Sequence, residues 1–453
     1  MSLGTELDKF GYKFSTSSLQ VLYKFRVEGG GDDETTKMMT DDFPVRPRVD
    51  GFTILSFGIL AYALSLIWPP LLLVVSCALA MIVPYSFREN DDAESRRRMW
   101  TEFMKNRRDD DGLLLPDGLL GRDDHDYDDA DDGIDVTEGY WTNRRGMALM
   151  TSIMAPRRRR RRNGDDDGDA DARDVDDVGD DVRAVVCLCH GYMDNVSFLK
   201  RIQFRRFVRE GIAVVAIEYE GHGRSDGPNA LVPKWEDLVT DAHEYFVHAT
   251  TTRFPNVSRR FLMGESMGGA VAYDIINDHP DTYDGVIFAA PMVKILVTPP
   301  SWVVDVFERV VGRPGTINVL SRMPWAPSPG DVPHLSFKDK DKMRLALSVP
   351  TRYGRKPRLA TARELLNATR RISSTISRFD APFIVLHGLE DRITDPKMSE
   401  MLYNESPSID KEIRLYRGMY HNLTTGETDE NIDVSRPSGG TRPEVASTAV
   451  LRT

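Results

Sequence analysis

From Val136 onward, short runs of β-branched and aliphatic residues alternate with amphipathic segments of helix length, and this alternation leaves few folds open to the chain. AVVCLCHG (184–191), GIAVVAIEY (211–219), RFLMGES (260–266), DGVIFAAP (284–291), APFIVLHG (381–388) and EIRLYRG (412–418) each read as a strand ended by a turn-forming cluster. They read as buried parallel strands. Strands alternating with helices predict a doubly wound, mostly parallel α/β sheet over 136–435, with the active site beyond the carboxyl ends of the strands.

One strand end carries chemistry. Gly264-Glu265-Ser266-Met267-Gly268-Gly269 follows a strand and opens a predicted helix, AVAYDIIND. Glycines flanking a serine there allow a tight turn that lifts the hydroxyl clear of the sheet, the context of a nucleophile elbow. A serine hydroxyl needs a base to take its proton, and the base needs an orienting acid. Asp391 lies just past one later strand and His421 just past the next, so the chain order Ser266, Asp391, His421 is that of an α/β-hydrolase fold. Asp395 is the rival acid but lies farther from the strand end; His387 reads as a packed histidine and His222 as a loop-fixing one. The oxyanion of the reaction requires two backbone donors, expected from the N–H groups of Met267 and of Tyr192 in the loop His190–Asp194. Asp194 either faces the polar head of a substrate or is an exposed loop carboxylate. No metal or cofactor is expected.

These residues together resemble the monoacylglycerol lipase family, especially its plant-type branch with lysophospholipases and caffeoylshikimate esterases. The matching blocks are HGYMDN, IEYEGHGRSDGP, FLMGESMGGAVAY, GVIFAAPM, PRLATARELL, VLHGLEDRITDP and LYRGMYHNLTTGE, spread over about 136–433. The resemblance implies the same triad, Ser266, Asp391 and His421, and a helical cap, here 292–378. Within the cap, ILVTPPSWVVDVFERVV is apolar enough for an acyl-chain entrance, although packing against the core explains it equally well. His334 and Asp339 repeat an acyltransferase spacing that chance also supplies. The chain departs from the family pattern in an arginine- and aspartate-rich insertion at 157–181. It departs again in a tail, 436–453, whose prolines and glycines replace an expected amphipathic helix.

Ahead of this domain the composition changes sharply. Residues 1–50 form a polar segment without the basic start, apolar core and cleavage site of a secretory signal. Residues 51–87 carry no charged side chain, and at 37 residues exceed the roughly 20 that cross a bilayer once. Pro69 and Pro70 divide the run into arms of 18 and 17 residues, which predicts a membrane hairpin, either a wedge in one leaflet or two short spans. Three basic residues flank its amino side and six its carboxyl side, which places the domain in the cytosol, on endoplasmic reticulum or lipid droplet. Residues 88–135 are acidic and read as a disordered tether. The insertion at 157–181, between two strand-like segments, reads as a disordered loop in a hairpin.

A net charge of −11 excludes nucleic-acid binding by a globally basic protein, and three cysteines exclude a disulfide scaffold. Five N-x-[ST] sequons, at Asn195, Asn256, Asn367, Asn404 and Asn422, are expected to stay unglycosylated in the cytosol. The combined expectation is a membrane-associated serine hydrolase acting on a lipid ester, most directly monoacylglycerol. Lysophospholipid or hydroxycinnamoyl esters stay open as substrates, acyl transfer or a noncatalytic scaffold as other classes, and the oligomeric state is undetermined.

Overall fold

The computed structural model describes residues 91–106, 133–157, 182–196, 198–294, 320–328 and 331–428, with isolated positions between them, all within the unit Glu89–Thr453. The uncharged run at 51–87, the insertion at 158–181, most of 295–319 and the tail lie outside the described residues. Among the described residues no helix is long and apolar enough to cross a membrane.

The centre is an eight-stranded sheet. In chain order its strands are β1 (Ile134–Thr142), β2 (Ala148–Pro156), β3 (Ala184–Cys189), β4 (Ile212–Ile217), β5 (Arg260–Glu265), β6 (Gly285–Ala289), β7 (Phe383–Gly388) and β8 (Lys411–Tyr416). In space they run β1-β2-β4-β3-β5-β6-β7-β8, and only the pairings of β2, with β1 and with β4, are antiparallel. All six strands expected from the sequence are present. Every residue of β3, β4, β6 and β7 is buried, which is why these segments are apolar without alternation.

The alternate residues of β3 feed two cores. Val185, Cys187 and Cys189 pack with Phe246 of α3 (Trp235–Arg253) and Val271 of α4 (Met267–Asp278), whereas Ala184, Val186 and Leu188 pack with Phe204 and Val208 of α2 (Phe198–Arg209). The two described cysteines are free and buried, and burial pushes the Cys189 thiol up to about 12, so both serve as small apolar side chains.

Three expectations are corrected. Residues 93–106, assigned to the disordered tether, form helix α1 (Ala93–Asn106). Asp92 starts it by accepting the Ser95 N–H at 2.8 Å, and Glu94 and Lys105 complement the dipole at its two ends. Its one fully buried residue among those described is Arg96, 0% exposed, and a run of three arginines does not announce a packed helix. The insertion at 157–181 is not a hairpin loop: β3 takes parallel partners on both sides, β4 and β5, and β2 pairs elsewhere. Of the expected cap, the described part includes α5 (Val332–Ser336), α6 (Lys340–Ser348) and α7 (Leu359–Thr375), with short 3-10 turns at Leu320–Arg322 and Ile376–Arg378. α7 belongs instead to the main core, through Ala368 and Ile372, while Leu345 of α6 and Val349 just past its end cluster separately with Trp100 and Phe103 of α1.

Candidate active site

Between β5 and α4 the chain reverses at Ser266, which adopts φ 55° and ψ −117°. A non-glycine residue seldom holds a positive φ, and the cost of roughly 1–3 kcal/mol is met only where the surroundings over-determine the turn. They do so here. The Ser266 N–H donates to the Ala289 carbonyl at 3.1 Å, and its carbonyl accepts from Gly269 at 2.9 Å and Met292 at 2.8 Å. The glycines are steric necessities: a Cβ on Gly264 would lie 2.4 Å from the Gly268 carbonyl oxygen, and one on Gly268 would lie 1.9 Å from that of Cys189. Two more non-glycine residues with positive φ, Met193 and Ala290, belong to the segments on either side of the elbow.

The acid and the base meet beyond β7 and β8. His421 Nδ1 lies 2.7 Å from Asp391 Oδ2, and His387 Nε2 reaches the same oxygen at 3.0 Å. Asp391 Oδ1 accepts the N–H groups of Ile393 at 2.7 Å and Thr394 at 3.1 Å, and the Thr394 hydroxyl sits 2.8 Å from Oδ2. Burial alone would raise the Asp391 pKa, but the hydrogen bonds from His387 and His421 outweigh it and hold the carboxyl well below the usual carboxylate range. Asp391 is therefore an ionised, fully directed acceptor, which places the proton of His421 on Nδ1 and leaves the Nε2 lone pair open. The rival residues have other duties. Asp395 caps α8 (Pro396–Glu405) by accepting the Lys397 N–H at 2.9 Å. Asp339 caps α6, and His334 pairs with Asp331.

Beside the elbow runs the loop after β3. A Cβ on Gly191 would lie 3.5 Å from the Ser266 Cβ, so the loop passes against the serine. Among the described residues neither the Tyr192 nor the Met267 N–H has a hydrogen-bond partner. The loop is held by the Tyr192 hydroxyl, which donates to the Ala230 carbonyl at 2.9 Å. It is also held by buried His190, whose Nδ1 donates to the Gly191 carbonyl at 2.8 Å while Nε2 accepts the Tyr219 N–H at 3.3 Å. Burial lowers the pKa of His190 to about 3, so it is neutral. His222 is likewise buried, its Nδ1 donating to the Glu220 carbonyl at 3.0 Å. Ser266 and His421 line one cavity with Ala289, Asn422, Leu423, Thr425 and Glu265. Among the described residues Ser266 Oγ has no hydrogen bond.

The family model described as serine aminopeptidase, S33, matches residues 180–429, more than half of the chain and both halves of this site. The chain belongs to the monoacylglycerol lipase-like α/β-hydrolases. A caffeoylshikimate esterase from Arabidopsis thaliana is 31% identical over 258 residues, covering 56% of this chain and 75% of that protein. A monoglyceride lipase from Rattus norvegicus is 29% identical over 235 residues, covering 52% and 72%. A solved soluble variant of the monoglyceride lipase from Saccharomyces cerevisiae, in complex with a substrate analogue, is similar with 20% identity and a TM-score of 0.48, covering 65% of this chain and 90% of that one. The chain is a carboxylic ester hydrolase.

In this hydrolase, several site residues escape sequence reasoning. Glu265, which precedes Ser266 in the elbow, joins three segments: Oε1 accepts Gln203 Nε2 at 2.7 Å and the Thr424 hydroxyl at 2.8 Å, and Oε2 pairs with buried Lys200. Lys200 also pairs with Asp194 at 3.0 Å, so Asp194 is tied into the wall of the site. Burial would lower the Lys200 pKa, yet Asp194 and Glu265 raise it above the ordinary lysine value. Only the charge pattern K…E across 65 residues carries this pairing, and no local spacing reveals it. Among the described residues no cluster of three His, Cys, Asp or Glu side chains could hold a metal ion.

Proposed function

We propose that the hydrolase cleaves the ester of a single-chain lipid, monoacylglycerol first, through a Ser266–His421–Asp391 triad. The observation that carries this reading is the 2.7 Å contact of His421 Nδ1 with Asp391, made by a histidine that shares its cavity with the strained Ser266. Ser266 Oγ attacks the ester carbonyl while His421 Nε2 takes its proton, and Asp391 stabilises the imidazolium through Nδ1–H. The oxyanion enters the space facing the Tyr192 and Met267 N–H groups, each such donor being worth about 100-fold or more in rate. Collapse returns the proton to the departing glycerol oxygen and leaves an acyl-Ser266 ester. Water, deprotonated by the same histidine, then releases the fatty acid. Residues 51–87 anchor the protein in a membrane, with the domain on the cytosolic face of endoplasmic reticulum or lipid droplet. A lipid surface is where such a substrate resides, and this favours monoacylglycerol over a soluble ester.

The likeness to a caffeoylshikimate esterase supports a second reading, hydrolysis of a hydroxycinnamoyl ester. A panel of 1-oleoylglycerol, lysophosphatidylcholine and a caffeoyl ester, offered to the full chain in detergent, separates the two. The expected result is a kcat/KM for 1-oleoylglycerol at least about tenfold above the others, one pocket preference being worth about 1–3 kcal/mol. A caffeoyl ester turned over fastest would replace the first reading by the second.

A further inference from the structure

Asp391 Oδ2 is shared by two histidines on different segments, and only one of them has a place in the triad. The second, His387 in β7, is 0% exposed and cannot reach substrate. Its two nitrogens are both engaged: Nδ1 lies 2.7 Å from the hydroxyl of Ser399 in α8, and Nε2 lies 3.0 Å from Asp391 Oδ2 and 3.1 Å from the Thr394 carbonyl. The Thr394 carbonyl and the Asp391 carboxylate can only accept, so the proton sits on Nε2, and Nδ1 accepts from Ser399. The two acceptors at Nε2 thus set the tautomer of His387, the Ser399 hydroxyl fills its Nδ1, and His387 donates to the carboxylate oxygen that also receives His421.

We infer that His387 is a positioning residue of the hydrolase, a hydrogen-bond donor that aims Asp391 at His421 and moderates the basicity that Asp391 passes on to it. A histidine packed only for volume has no need of a donor aimed at the triad carboxylate, nor of a hydroxyl on its other nitrogen to hold the ring in that orientation. The groups facing Asp391 are His387 from β7, His421 from the segment after β8, and the neutral Thr394 hydroxyl and Ile393 and Thr394 N–H groups. The other charged group in the cavity shared with His421 is Glu265, which is neutralised by Lys200 of α2. Removing the His387 donor concentrates the carboxylate charge on His421, favours its imidazolium, and so moves the acid limb of the rate profile upward in pH.

The inference rests on the triad reading and is tested separately from it. His387→Leu, His387→Met, His387→Gln, Ser399→Ala and Ser266→Ala are compared in the full chain on a short soluble ester, with melting curves to show which variants fold. The apolar variants are expected to lose about ten- to hundredfold in kcat with little change in KM, and to shift the acid limb of kcat/KM up by about half a pH unit. His387→Gln, whose amide can donate to Asp391, recovers most of the rate, and Ser399→Ala shifts the limb in the same direction by less. An unchanged kcat and acid limb in every folded His387 and Ser399 variant, with Ser266→Ala inactive, would overturn this role alone. An active Ser266→Ala would instead overturn the triad reading.

Discussion

Arg96 Nε donates to the Gly223 carbonyl oxygen at 2.7 Å, joining a helix ahead of the sheet to the turn that follows β4. The same guanidinium reaches the carbonyls of Ser225 at 2.6 Å, Gly227 at 2.9 Å and Asp91 at 2.9 Å, so one buried side chain satisfies acceptors on both segments. Burial lowers its pKa to about 10, which still leaves it charged at neutral pH. Asp91 in turn pairs with buried Arg358 at the start of α7.

Arg96→Ala therefore strands four carbonyls and is expected to cost about 3 kcal/mol or more, measured as a drop in the urea midpoint at unchanged slope. Arg98, which is exposed apart from a contact with Ser95, serves as the control: Arg98→Ala is expected to cost under about 0.5 kcal/mol.

Why the sheet and elbow were legible while α1 was not follows from how each buries its surface. β3 and β4 lie between layers of helices, so every position must be apolar and the run stands out in the sequence. The elbow is legible because Gly264 and Gly268 leave no room for a side chain, a steric demand that a short motif records. In α1 the segment AESRRRMWTEFMKN buries a charged group, with backbone carbonyls as partners, and carbonyls leave no trace in a sequence. The misplaced hairpin has a similar cause: β2 and β3 are neighbours along the chain, but which strand pairs with which is settled by the whole sheet. His387 was visible in its motif, yet only geometry shows that it faces the same oxygen as His421.

Acid should weaken the fold through the buried neutral histidines. Burial lowers the pKa of both His190 and His222 to about 3, far below the unfolded value near 6.5. Between these limits the unfolded chain binds protons that the native protein refuses, so stability is complete above about pH 6.5 and falls as pH drops toward 3. The slope is about 1.4 kcal/mol per pH unit for each group. Urea midpoints measured from pH 7 to pH 4 are expected to fall, and to fall less steeply in His222→Gln, which cannot titrate there. A variant with the wild-type slope would remove His222 from this account.

The anchoring reading makes its own forecast. Deletion of 51–87 is expected to release the protein from membranes and leave hydrolysis of a short soluble ester nearly intact, whereas extending the deletion through Asn106 also removes Arg96 and costs stability. In cells the five sequons should carry no glycan. Asn195, only 8% exposed beside the loop of Tyr192, has no room for one in the folded protein. A glycosidase-sensitive shift in mobility would place the domain on the lumenal side, and membrane pelleting of the deleted protein would move the anchor elsewhere.

If Ser266 alone supplies the nucleophile, Ser266→Ala removes the chemistry and spares the fold. Hydrolysis of 1-oleoylglycerol and covalent labelling by a fluorophosphonate are measured side by side with the melting curve. The expected result is a rate loss of roughly ten-thousand-fold or more, no labelling, and a fold at least as stable as the wild type. A well-folded Ser266→Ala protein that still hydrolyses the ester or still takes up the label would contradict it.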